Sequence, residues 1–152
     1  MSEASIVLAS DRREIERLTL FVENFGERHH LTSDDVSALN LMLDEVVINV
    51  IAHGYRRQES GARRREDDRS ETILVSLSLD HDVVTIRVED TAAAFDPADA
   101  PPPNLDVPLE QRQVGGLGIH IVRSLTDSLQ HQRLGNRNVL TMTRHVALAD
   151  GR

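Results

Sequence analysis

Asp44-Glu45-Val46-Val47-Ile48-Asn49-Val50-Ile51-Ala52-His53-Gly54-Tyr55 lies about one third of the way along this 152-residue chain. From Leu41 to Ala52, nine of twelve residues are apolar, and the exceptions are Asp44, Glu45 and Asn49. A helix that is apolar nearly all round is a buried helix. Polar side chains on it need partners, because an unpaired buried polar group costs roughly 1–7 kcal/mol. Glu45 and Asn49 are four residues apart and share one helix face. They lie roughly opposite the stripe of Val36, Leu39, Leu43, Val46 and Val50. Such a pair reads either as one wall of a pocket or as a hydrogen-bonded pair facing solvent.

Working outward, Ser5 to Ala9 alternates as a short strand. Ser10 or Asp11 is placed to cap a helix reaching about Phe25, with Gly26 as its stop. The apolar helix opens at Thr32, with Asp35 as a first-turn partner, and runs to about His53, with Gly54 ending it. Residues 58–70 form a polar, Arg-rich loop. Thr72–Leu79 and Val83–Val88 are β-rich runs joined by His81-Asp82. A Pro-rich stretch from Thr91 to Val114 is long enough to be a functional lid. Gly116–Leu129 has helix periodicity, and Gln130–Leu134 and Val139–Val146 flank Gly135-Asn136 as a closing hairpin. This order predicts a single α+β domain over 1–152: a two-layer sandwich whose mixed, mostly antiparallel sheet carries its helices on one face.

Composition narrows the function. The chain has no Cys, which excludes disulfides and thiolate metal sites. The net charge of −8 argues against nonspecific nucleic-acid binding. No apolar run approaches the ~18 residues of a membrane span, and no secretory leader is evident, so a cytoplasmic location is expected. All 17 basic residues are Arg. A P-loop, which ends in Gly-Lys-Ser/Thr, is therefore impossible here. The histidines show no metal-binding spacing.

Three further stretches carry chemistry. Asp90 follows the run Val83 to Val88, where a carboxylate can accept an exocyclic amine or simply initiate a turn. Gly115-Gly116-Leu117-Gly118 opens a helix, and glycines let backbone N–H groups approach phosphate there. The same glycines suit a hinge. The side-chain oxygen of Asn49 is a hard ligand of the kind Mg²⁺ accepts, with water and phosphate completing the shell. Glu45, one turn earlier, is placed to take a hydroxyl proton or orient a nucleophile.

Asp44-Glu45, Asn49 and His53-Gly54-Tyr55 together resemble the N-box of the Bergerat-fold ATP-binding superfamily. The His-Gly-Tyr ending is similar to that of the anti-sigma factor serine kinases of bacterial partner switching. Val88-Glu89-Asp90 with Phe95-Asp96-Pro97 resembles their first glycine box, and Val114 to Val122 their lid and second glycine box. Asp127 and Asn138-Val139-Leu140-Thr141-Met142 resemble their last strands. The likeness spans about Ile6 to Val146.

The resemblance implies a Bergerat-type, histidine-kinase-like ATPase domain with an ATP lid at about 91–115, working as a homodimer. Glu45 would be the general base that activates a substrate serine, and Asn49 would bind Mg²⁺. Asp90 would bond the adenine amino group. Gly115, Gly116, Leu117 and Gly118 would shape the hinge and the phosphate-contacting helix start. Arg112 would be either a γ-phosphate clamp or a solvent-exposed lid residue. The implied partners are a STAS-type antagonist phosphorylated on serine and, alternately, a sigma factor or other regulator. One departure stands out. The family's first box reads Asp-x-Gly-x-Gly-Phe, whereas here it is Asp90-Thr91-Ala92-Ala93-Ala94-Phe95. If either Ala needs φ > 0, its Cβ costs roughly 1–2 kcal/mol. The alternative is then a catalytically impaired binding module in which nucleotide is structural or absent.

Overall fold

Alternating apolar residues drive the strands together, and the register shows which face each residue takes. The computed structural model describes residues 2–55, 72–92 and 116–148. Within them are β1 (Ser2–Ala9), α1 (Ile15–Arg28), α2 (Ser33–Asn49), β2 (Thr72–Asp80), β3 (Val83–Asp90), α3 (Gly116–Leu125), β4 (Ser128–Leu134) and β5 (Arg137–His145). The strands form one sheet in the order β1-β2-β3-β5-β4. A mixed sheet was expected, yet all four pairings are antiparallel.

Cross-strand partners line up in rows on the inner face. One row is Ala4, Leu77, Ile86, Met142 and Leu129, and the next is Ile6, Val75, Val88, Leu140 and His131. The last row is Leu8, Ile73, Asp90, Asn138 and Arg133. On the opposite face Ser5, Ser76, Arg87, Thr141 and Gln130 form a polar row. The apolar inner rows pack with Leu18, Val22 and Phe25 of α1, Leu39, Met42, Leu43, Val46 and Val47 of α2, and Val122 of α3 in a single core. Helices on one side of an antiparallel sheet make this the expected α+β sandwich.

Local chemistry sets the element ends. Asp11 accepts the Arg13 amide at 2.9 Å and caps a 3-10 turn, Arg12–Glu14, that leads into α1. Gly26 is not the helix stop that its type suggested. It is buried inside α1, where a Cβ would collide with Val36 Cγ2 of α2, so its role is close helix approach. The stop lies further on, at His30. His30 takes φ +59°, its amide donates to Glu27 O (3.3 Å), and the Leu31 amide donates to Gly26 O (2.9 Å). These two bonds form a Schellman termination. His30→Gly relieves the left-handed strain at an exposed site. It is expected to stabilise the chain by about 1 kcal/mol, read as a raised urea midpoint at constant slope.

Thr32 caps α2 as expected, and Thr32 Oγ1 accepts the Asp35 amide at 3.2 Å. The Asp35 carboxylate in turn accepts Arg144 Nη2 (3.1 Å), the Ala147 amide (2.8 Å) and Thr32 Oγ1 (3.0 Å). Arg144 Nη1 donates to Leu125 O at 2.8 Å. This buried knot ties the start of α2 to the ends of α3 and β5. Past Asn49, α2 does not stay α-helical to His53 but widens into a π-helix, Val50–Tyr55, that runs through Gly54. α3 stops at Leu125 rather than Leu129, because the Asp127 amide pairs with Thr143 O and the chain from Ser128 joins β5. The hairpin turns fall as read, at His81 (φ +57°) and Gly135 (φ +63°).

Candidate functional site

The knot orients the two helices that matter. The start of α2 and the end of α3 both sit at Arg144, so the helices run antiparallel. The far end of α2, about 25 Å away, and the start of α3 therefore point toward the sheet end that carries Asp90 and Asn138. One contact confirms the pairing. The Glu45 carboxylate lies on the Gly118 backbone, where a Cβ would collide with Oε2 and fall 2.9 Å from Cδ. Glu45 and the glycine-opened helix, 73 positions apart in sequence, are thus direct neighbours.

Asn49 sits one turn beyond Glu45. It is 5% exposed, and among the described residues its side-chain Nδ2 has no hydrogen-bond partner. A native buried amide with an orphan end calls for an explanation. The two ends of an amide exchange by rotation, so the same position can present Oδ1. That donor chemistry fits a hard cation. Among the described residues there is no cluster of three His, Cys, Asp or Glu able to hold a metal. A cation beside Asn49 would therefore draw its other ligands from phosphate and water.

Asp90 is 6% exposed, on the inner face at the sheet end. Its Oδ1 accepts the Ala92 amide and Asn138 Nδ2, both at 2.9 Å. Ala92 O is held by Arg133 Nη1 (2.7 Å) and Asn138 Nδ2 (3.2 Å). Burial raises the Asp90 pKa, while Asn138, the Ala92 amide, Arg133 and His131 pull it back. A carboxyl raised in the folded state adds stability below its unfolded value and loses it as pH rises through the folded value. At neutral pH the ionised Asp90 therefore costs stability, and a ligand donor would repay it.

Ala92 answers half of the question raised by the first box. It is not among the residues with positive φ, and its methyl is buried in the core at 1% exposure. The position needs no glycine. Ala92→Gly is expected to cost about 1 kcal/mol, through a lost buried methyl and a freer unfolded chain, with no gain in nucleotide affinity by calorimetry.

The structure brings together Glu45 and Gly118, with Asn49 one turn further along the same helix. Gly116 and Leu117 lie in the first turn of α3. Arg112, Gly115, Ala94, Phe95-Asp96-Pro97 and most of the expected lid, as well as the Arg-rich loop 58–70, lie outside the described residues. Sequence reasoning missed Arg133 and His131 entirely. Register counted out from Gly135-Asn136 pairs Arg133 with Asn138, but only the non-sequential β3–β5 pairing brings both to Asp90. It also missed Asn40, one turn before Asp44. Both residues keep a buried, unpartnered Oδ1, and burial followed by the Glu45 charge raises the Asp44 pKa.

Residues 8–144 match the family model of the histidine kinase-like ATPase domain. The chain belongs to that family. It is 30% identical over 109 residues to the serine/threonine-protein kinase BtrW of Bordetella bronchiseptica, covering 72% of this chain and 70% of that protein. The fold superposes on a structure of the RsbU and RsbW domains of Rv1364c from Mycobacterium tuberculosis with a TM-score of 0.64 at 14% identity. That match covers 96% of this chain but only 33% of the longer one, and it speaks to the fold alone. No helix among the described residues is long and apolar enough to cross a membrane.

Proposed function

We propose that this chain is a cytoplasmic protein serine kinase that binds Mg-ATP and phosphorylates a STAS-type anti-sigma antagonist. In its alternate complex, as a homodimer, it sequesters a sigma factor or another regulator. The observation that carries this reading is the Glu45 carboxylate seated on Gly118 at the opening turn of α3. It puts a proton acceptor on the helix start whose backbone N–H groups favour phosphate.

Bound Mg-ATP supplies the transferable phosphoryl group. Glu45 takes the proton of the substrate serine hydroxyl on its carboxylate as that oxygen attacks. Asn49 would hold the magnesium through its side-chain oxygen. Asp90 accepts the adenine amino group and so fixes the position of the base. Gly115, Gly116, Leu117 and Gly118 would supply backbone N–H groups to the phosphates, and Arg112 would be the candidate clamp on the γ-phosphate. The new phosphoserine brings about −1.5 to −2 charges to the antagonist's docking face and breaks that complex by repulsion. Ala92 sits without backbone strain, which favours this reading over an impaired module.

Incubating the purified chain with Mg-ATP and the antagonist is expected to give phosphoserine, while no heat on titrating Mg-ATP would refute nucleotide binding. Asp90→Asn is expected to weaken ATP about 10- to 150-fold, since a hydrogen bond to a charged group carries about 1.5–3 kcal/mol. Its melting temperature should hold or rise, because the buried charge is gone.

A further inference from the structure

We propose that Asn138, oriented by His131, is a positioning residue that turns Asp90 so that its second carboxylate oxygen meets the amino group of adenine. This rests on the nucleotide reading above and assigns the selection of the base to a network in which the resemblance gave Asn138 no role. Asn138 is 5% exposed and stands directly across from Asp90 in the β3–β5 register. Its Nδ2 donates to Asp90 Oδ1 at 2.9 Å and to Ala92 O at 3.2 Å. Those two bonds turn Asn138 Oδ1 toward β4, where His131 Nε2 lies at 3.2 Å. Oδ1 only accepts, so His131 must carry its hydrogen on Nε2. The amide therefore cannot flip without losing both of the bonds it donates. Arg133 Nη1 fixes the same Ala92 carbonyl from the neighbouring strand position.

The consequence falls on Asp90. Among the described residues, Asn138 Nδ2 and the Ala92 amide both donate to Asp90 Oδ1. This leaves Oδ2 as the atom for a ligand. An ionised carboxylate oxygen accepts and never donates, so it selects a base that offers an amine at this point. Adenine does, whereas guanine offers a carbonyl there and is repelled. The charged groups acting on Asp90 are Arg133 and His131, both on β4.

The test is calorimetry on the full chain with Mg-ATP and Mg-GTP, with ATP affinity followed from pH 5 to 8. It compares the unmodified protein with Asn138→Ala, His131→Gln, His131→Leu and Asp90→Asn. Asn138→Ala is expected to weaken ATP about tenfold, the scale of one bond to a charged group. It should also move the acid loss of ATP binding to higher pH, because Asp90 loses the donor that most opposes its raised pKa. His131→Gln keeps an N–H donor and should bind as the unmodified chain does. His131→Leu should lose a few-fold, and the glutamine variant also removes any titration of His131 itself from the profile.

Unchanged affinity in Asn138→Ala, or weakened affinity with an unmoved acid limb, would overturn the proposal. Equal behaviour of His131→Gln and His131→Leu would remove His131 from it. The nucleotide reading fails separately, if the unmodified chain binds no ATP or Asp90→Asn binds it equally well.

Discussion

Glu45→Gln should slow phosphotransfer to the antagonist by about three orders of magnitude, within the usual range for a lost general base. ADP affinity should stay within about twofold, since the amide keeps the size and shape of the carboxylate while giving up its ability to take a proton. The position argues for a clean separation. Glu45 projects from α2, whose neighbours Val46 and Val47 are locked in the core at 3% and 0% exposure. Changing one atom of its side chain leaves that anchoring alone. Single-turnover transfer from labelled ATP gives the rate, and calorimetry gives the affinity. A glutamine variant that transfers at the unmodified rate would take Glu45 out of the proton-accepting role.

Gly118→Ala should be nearly silent in stability and severe in activity. The new methyl meets the far end of the Glu45 side chain, a flexible group that can swing aside. Helix propensity favours alanine by up to about 1 kcal/mol, so the melting temperature should hold or rise. The displaced carboxylate, however, no longer sits at the start of α3. A misplacement of about 1 Å in such a group costs on the order of 100-fold in rate. Combining it with Glu45→Ala should give no further loss, because each change removes the same positioned oxygen. A Gly118→Ala protein that transfers phosphate normally would show that this contact is incidental. Gly26 makes the opposite case. There the obstructing atom is Cγ2 of Val36, on a stiff β-branched side chain, so space and not chemistry is at stake.

Much of this was legible in the sequence because it is local. Thr32 with Asp35 announces the start of α2 through bonds spanning three residues, and His81-Asp82 and Gly135-Asn136 announce their turns. Glu45 and Asn49 share a face by helix geometry alone. What stayed hidden depends on long-range pairing. Gly26 carries the usual mark of a helix end, but Val36 of the next helix claims the space, and termination passes to His30. Leu129 continues the helical periodicity of α3, yet its place opposite Met142 in the sheet overrides it. The polar set around Asp90 is drawn from three strands, one of them out of chain order. A chain read residue by residue cannot foresee that Arg133 will reach the Ala92 carbonyl 41 positions away.

The fastening of Asp35 to Arg144 and Ala147 also bears on how the chain can be handled. It joins positions 109 and 112 apart, and Leu148 bridges Leu31 just beside it. A fusion partner or affinity tag spliced in between Arg144 and Leu148 would unseat the opening turn of the α2 helix, although Glu45 and Asn49 lie nearer its other end. Reporters attached after that bridge leave the closure whole, and so report on the intact domain and not on a sprung scaffold.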